Sequence, residues 1–141
     1  MRVIGIDVGA RRIGLAISDA TRTLARPLEA LAVADDRDAV DRVAARIAEL
    51  ARDEDGVAGI VVGVPRRLDG SATDATARAT AFVDALRART GLPVATEDER
   101  LTSVEAESRL SARERDWKKR KAKIDAAAAA IILQDYLNRS G

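Results

Sequence analysis

Asp7 interrupts an otherwise apolar run, VIGIDVGARRIGLAIS, just before a short Gly-rich turn. A carboxylate among Val and Ile is costly to bury unless it is paired or coordinates a cation. Two further acidic positions raise the same question. TEDERLTS brings Glu97, Asp98 and Glu99 to the end of a strand-like segment, and in KIDAAAAAIILQDYL, Asp125 shares a helical face with Ala128, Ala129, Ile132 and Tyr136. An Asp on an apolar helix face is directed at the protein. The chain has no His and no Cys, which removes Ser-His-Asp triads, Cys-His pairs and zinc sites built on imidazole or thiolate. What remains is carboxylate chemistry. Carboxylate oxygens suit hard cations such as Mg²⁺ or Mn²⁺, which bind through one or two carboxylates plus substrate phosphates.

Each acid also has an ordinary structural explanation: Asp7 as a turn residue, Asp98 or Glu99 as a partner of Arg100, and Asp125 as a helix N-cap. Their joint placement at one end of one sheet favours a site. The basic residues are unevenly spread as well. Net charge is +1, yet RERDWKKRKAK, from Arg113 to Lys123, carries seven basic and two acidic residues beside an otherwise net acidic body. Such a cluster suits a phosphate backbone, or else is a solvated loop. With one Trp, one Tyr and one Phe, stacking of bases on aromatic platforms has little to build on, so shape and phosphate geometry are the expected readout.

These residues need elements to hold them. The 141 residues suffice for one domain, 1–141, with a real core. Asp7, Arg11 and Arg12 break the first apolar run early, so neither a signal peptide nor a membrane span is expected, and the expected location is cytoplasmic. Val3 to Val8 and Ile13 to Ser18 read as strands joined by GARR, and Leu24 to Val33 as a third, placed at an edge by Pro27. Val40, Val43, Ala44, Ile47, Leu50 and Ala51 then mark an amphipathic helix. VAGIVVGVP has the continuous apolar character of a strand buried on both faces. A second helix follows, capped by Ser71 with Asp74 and carrying Ala75, Ala79, Phe82, Val83 and Leu86 on one face; PVATED is the fifth strand. Thr102 and Glu105 fit a capping box for a short helix through about Leu110, and Ser111 to Lys123 reads as a mobile basic loop before a closing Ala-rich helix. Hairpins followed by right-handed crossovers give an α/β fold with a five-stranded mixed sheet of order 3-2-1-4-5 and helices on both faces, similar to ribonuclease H. Sites in such sheets form at the carboxyl ends of strands where the winding reverses, and Asp7 lies there.

GIDVGARRIGLAISD, VVGVPRRLDGS, DERLTSVEAE and KIDAAAAAIILQDYL together resemble the motifs of the YqgF/RuvX family, bacterial proteins described both as Holliday junction resolvases and as pre-16S ribosomal RNA nucleases. The resemblance runs from about Val3 to Leu137. It implies a cytoplasmic, ribonuclease H-like, divalent-metal nuclease that matures the 5′ end of the 16S ribosomal RNA precursor, with resolution of four-way DNA junctions as the alternative. By this resemblance the family's acidic residues fall on Asp7, Glu99 and Asp125, with Asp98 a substitute for Glu99 because the register within EDER is open. One departure stands out: Arg66 and Arg67 occupy places where members often carry an apolar residue and Asn, which adds positive charge near the site.

The implied chemistry is in-line displacement at phosphorus, with two Mg²⁺ or Mn²⁺ ions about 3.5–4 Å apart activating water and stabilising the leaving oxygen. Arg11, Arg12, Arg66, Arg67, Arg100, Lys118, Lys119, Arg120 and Lys121 are the candidates for positioning the nucleic-acid backbone. Expected partners are structured nucleic acid, either precursor rRNA or branched DNA, and the ribosome. Two rival readings come from other classes. GIDVGARRIGLA also looks like the first phosphate loop of actin-like kinases, which repeat this fold twice, and the fold could serve as a ribosome-assembly module without turnover.

Overall fold

The computed structural model describes residues 1–99 and 117–140, with the side chains of all but 117–121. Three strands lead, β1 (Arg2–Val8), β2 (Arg12–Ser18) and β3 (Ala25–Ala32). Helix α1 (Asp36–Ala51), β4 (Val57–Val64), α2 (Asp74–Thr90), β5 (Val94–Asp98) and α3 (Trp117–Ser140) follow. The sheet order is β3-β2-β1-β4-β5. Short turns permit only antiparallel neighbours, and β1–β2 and β2–β3 are antiparallel; β1–β4 and β4–β5, separated by helices or long connections, are parallel. Pro27 lies on the edge strand β3, where its missing N–H breaks no internal ladder. The register slips beside it, so that Leu15 pairs with Glu29 and Ala16 with Pro27.

Strand alternation sorts side chains onto two different faces. Ile4, Ile6, Ile13, Leu15, Ile17, Ile60 and Val62 pack beneath α1 and α2, against Val43, Ile47, Phe82, Val83 and Leu86. The other face carries smaller residues, Val3, Ala16 and Val61, and receives Ala129, Ile132, Leu133 and Leu137 of α3. Small residues on both sides let the α3 backbone come very close. A Cβ at Gly14 would collide with the backbone carbonyl of Asp125, and one at Gly5 would sit 2.9 Å from that of Ala129. Gly14→Ala therefore has to lift α3 off β2, at a cost of about 1–3 kcal/mol. Urea unfolding should show a lower midpoint with an unchanged slope.

The helices depart from the sequence expectation in three places. Helix α2 is capped by Thr73, not Ser71: its side chain accepts from the Thr76 amide while the Thr76 hydroxyl accepts from the Thr73 amide. Thr here does the job usually given to Glu or Gln in such a box, so the familiar pattern misses it. In α1 the buried stripe is Ala39, Val43, Ile47 and Leu50, and Ala51 is exposed. Finally, Trp117 to Lys123 is not loop but the opening of α3. Lys and Arg are good helix formers, and no Gly or Pro separates this basic run from the alanines that follow. Asp125 consequently lies inside a helix and is not its N-cap. Arg100, the expected helix from Thr102 through Leu110, and the stretch 111–116 lie outside the described residues, as do the side chains of Lys118, Lys119, Arg120 and Lys121.

Candidate active site

Asp7 is the last but one residue of β1 and follows Val3 and Gly5 on the α3 face. Its partner across the β1–β2 ladder is Gly14, the glycine over which the Asp125 backbone lies. The hairpin register and the close seating of α3 thus bring Asp125 over the end of β1. On the other side, Ile6 pairs with Val62, and one further step along this parallel register puts Gly63 beside Asp7. The Glu99 amide donates to the Val64 carbonyl at 3.3 Å, extending the β4–β5 ladder by one residue.

Glu99 must reach across β4 to meet Asp7, a distance of two strand spacings or roughly 10 Å. The missing side chain at Gly63 opens the way, since a Cβ there would stand 2.6 Å from Glu99 Oε2. The two carboxyl groups are joined by a side-chain hydrogen bond. Burial raises the Asp7 pKa and the nearby Asp125 charge raises it further, while the hydrogen bond from Glu99 pulls it down. Burial raises Glu99 more strongly, and the charges of Asp7 and Asp98 and the bond to Asp7 all act in the same direction. Both carboxyls are thus held above the ordinary carboxylate range, Glu99 the further, because two buried acids side by side oppose each other's ionisation.

Asp98 does not converge on this site. Alternation along β5 sets Ala95, Glu97 and Glu99 on the α3 face, and Asp98 is exposed on the other. Glu97 is buried on the site's own face, but Arg139 of α3 is ion-paired with it. Asp125 holds an ion pair with Arg12, from Nε to Oδ2 at 3.1 Å. Arg11, Arg66 and Arg67 are exposed. Arg66 and Arg67 project from the β4–α2 connection, which is closed on itself by bonds from Arg67 Nη1 to the Ala72 carbonyl at 3.2 Å and from Arg66 Nη1 to the Gly70 carbonyl at 3.4 Å. Residue types alone do not single out Gly14 and Gly63; the signal is a glycine inside a strand, and β4 carries two, Gly59 and Gly63.

Among the described residues, no three Asp or Glu side chains already stand together as a cation cage. The donor set nevertheless suits a hard divalent ion. Glu99 Oε2 is buried and has no hydrogen-bond partner among the described residues, and the adjacent Asp7 and Glu99 oppose each other's ionisation, which a cation between them would relieve. Asp7, Glu99 and Asp125 are the residues that would hold it. A groove of about 570 Å³ between α1 and α2 is on the opposite face and is lined by none of these carboxylates. No helix among the described residues is long and apolar enough to cross a membrane.

A sequence model of the RuvX family, described as Holliday junction resolvase, matches residues 1–139. A protein of Leifsonia xyli subsp. xyli is 47% identical over 135 residues, covering 96% of this chain and 84% of its own. One from Anaeromyxobacter dehalogenans is 43% identical over 139 residues, covering 99% and 98%. Both are provisionally named pre-16S rRNA nucleases. Among solved structures, Thermus thermophilus RuvC superposes with a TM-score of 0.54 at 19% identity, over 99% of this chain and 96% of that one. RuvC of T. thermophilus in complex with a Holliday junction substrate gives 0.52 at 21%, over 100% and 96%. At such identities the likeness is one of fold alone.

Proposed function

The chain belongs to the RuvX family, and from that premise we propose that it is a divalent-metal-dependent nuclease acting on the 5′ end of pre-16S ribosomal RNA. The observation that carries this reading is the Asp7–Glu99 pair, with a buried Glu99 oxygen that has no hydrogen-bond partner among the described residues, set beneath a third carboxylate, Asp125. When bound, Mg²⁺ or Mn²⁺ supplies a Lewis acid for the phosphodiester and lowers the pKa of an attacking water; with two ions, both the entering and the leaving oxygen are stabilised. Asp7 and Glu99 would hold the ion as carboxylates, so its binding would release any proton the pair carries. Arg11, Arg66 and Arg67 hold the flanking phosphates, which fixes the substrate's register without reading its bases.

A cleavage assay on a precursor-rRNA leader and a four-way DNA junction, run side by side with Mg²⁺ and Mn²⁺, tests the assignment. Cleavage of the RNA near the mature 5′ end is expected. The family's description favours one second reading, resolution of DNA junctions; paired nicks on the junction with the RNA left intact would establish it. Intact substrates in both arms would leave a binding module without turnover.

The basic opening of α3 is proposed as part of the same interface, because Lys118 and Lys121 precede Asp125 by seven and four residues in one helix. Neutralising Lys118, Lys119, Arg120 and Lys121 should weaken nucleic-acid binding. The slope of log K against log salt should flatten by roughly 0.7–0.9 for each phosphate that the variant no longer neutralises. Affinity measured by fluorescence anisotropy across a salt series checks this, and an unchanged slope would return the segment to a merely solvated helix end.

A further inference from the structure

We propose that Arg12 is a positioning residue that couples metal loading to nucleic-acid binding: its guanidinium holds the Asp125 carboxylate until a backbone phosphate draws it away. The inference rests on the reading of Asp125 as a metal ligand. Arg12 and Asp125 lie 113 residues apart in sequence, and their meeting is a product of the fold. Both side chains are about three-quarters covered, with 27% and 24% exposure, so the pair sits at the rim of the site and not in open solvent.

Neither backbone can move to relieve the contact. The Arg12 carbonyl accepts from the Gly9 amide at 2.9 Å, and the residue begins β2 opposite Ala32. Asp125 is seated on Gly14 by its own carbonyl. Only the two side chains can rearrange. A guanidinium on Oδ2 reduces the negative potential available to a divalent ion and repels that ion directly. A phosphodiester offers Arg12 an alternative anion whose oxygens match its fork of donors. Once Arg12 turns to phosphate, one cation fewer competes with the metal for Asp125. Linkage makes the effect reciprocal, so metal at Asp125 releases Arg12 for nucleic acid.

The glycine-lined seat and the pairing of Glu97 with Arg139 sharpen the case. Two acidic residues on this face are matched by arginines, yet Arg139 pairs with a Glu that nothing else in the site needs, whereas Arg12 pairs with a proposed ligand. An arginine serving only to orient Asp125 would predict the opposite response to its removal, because a loosened carboxylate binds metal less well.

Two binding measurements decide between them, neither of which needs turnover. Mn²⁺ affinity of the protein without nucleic acid, followed by electron paramagnetic resonance of unbound Mn²⁺, should tighten roughly threefold to tenfold in Arg12→Gln. Arg12→Lys should fall between the two, and Asp125→Asn should weaken binding. In EDTA, where no cleavage occurs, Asp125→Asn should bind an RNA duplex more tightly than wild type, and adding Arg12→Gln should cancel that gain. If Asp125→Asn leaves Mn²⁺ affinity unchanged, the metal-ligand reading itself falls. If it weakens Mn²⁺ binding but Arg12→Gln fails to strengthen it, or the gain in RNA affinity survives without Arg12, the coupling alone is overturned.

Discussion

Glu99→Gln should abolish cleavage while making the protein, stripped of metal, more stable than wild type at pH 8.5. Both effects have one cause. Glu99 is 7% exposed, lies against Asp7 and has its pKa pushed up to about 9. In the unfolded chain it titrates near the ordinary value of about 4.3. Between those two points the folded protein holds a proton that the unfolded one has released, so stability falls as pH rises through this window. It is greatest below the unfolded value and lost by the time the folded value is passed. Gln keeps the hydrogen bond, since its amide donates to Asp7 as the protonated carboxyl does, and has no proton to lose. The variant should match wild type near pH 5 and exceed it by about 1–3 kcal/mol at pH 8.5 in EDTA. Turnover should drop by about 10³-fold or more, because an amide is a poor substitute for an anionic ligand. Thermal melts across pH, paired with cleavage rates, check both halves. A variant that is inactive but destabilised at high pH would mean that Glu99 supports the fold and not a cation.

The layout of the sheet was legible because strand and helix periods are local and hydrophobic. Val3 to Val8, Ile13 to Ser18 and VAGIVVGVP carry their burial in their own composition, and Pro27 marks an edge by what it cannot donate. Where competing signals are nearly equal, the sequence was less informative. Ser71 and Thr73 are both capable caps, and only the geometry of the Thr76 hydroxyl separates them. Lys118 to Lys123 has a loop's charge and a helix's propensity, and packing of the following alanines extends the helix through it.

The candidate site was legible in its residue types but not in its mutual contacts. Period-two alternation, applied to VATED and one residue beyond, already separates Glu97 and Glu99 from Asp98, so the ambiguity in EDER had a local answer. No local pattern reveals that Gly63 clears a path for Glu99, or that Arg12 meets Asp125 across more than a hundred residues of chain. Those facts depend on the seating of α3. The same small-residue contact that fixes its height over β2 sets the distance between Asp125 and Asp7, which is why the alanine run belongs to the site's construction as much as to the core.

Asp125→Asn tests that construction most directly. As an interior residue of α3, Asp125 contributes no capping, and Asn has nearly the same shape and a similar helix propensity. Its ion pair with Arg12 is partly exposed, so the loss costs about 0–1 kcal/mol. Removing the charge also relieves Asp7, whose pKa the Asp125 carboxylate helps to raise. These terms oppose one another, and the melting temperature should stay within a few degrees of wild type, roughly the shift that 1 kcal/mol produces in a domain of this size. Activity should not be spared. A metal ligand replaced by an amide should lower turnover by about 10²-fold or more, and raising Mg²⁺ or Mn²⁺ should restore part of it by mass action if affinity is what was lost. Circular dichroism melts, cleavage rates over a metal titration and direct Mn²⁺ binding together separate the causes. A stable variant that cleaves at the wild-type rate at low metal concentration would remove Asp125 from the site, and Asp7 with Glu99 would then have to hold the cation with substrate phosphate alone.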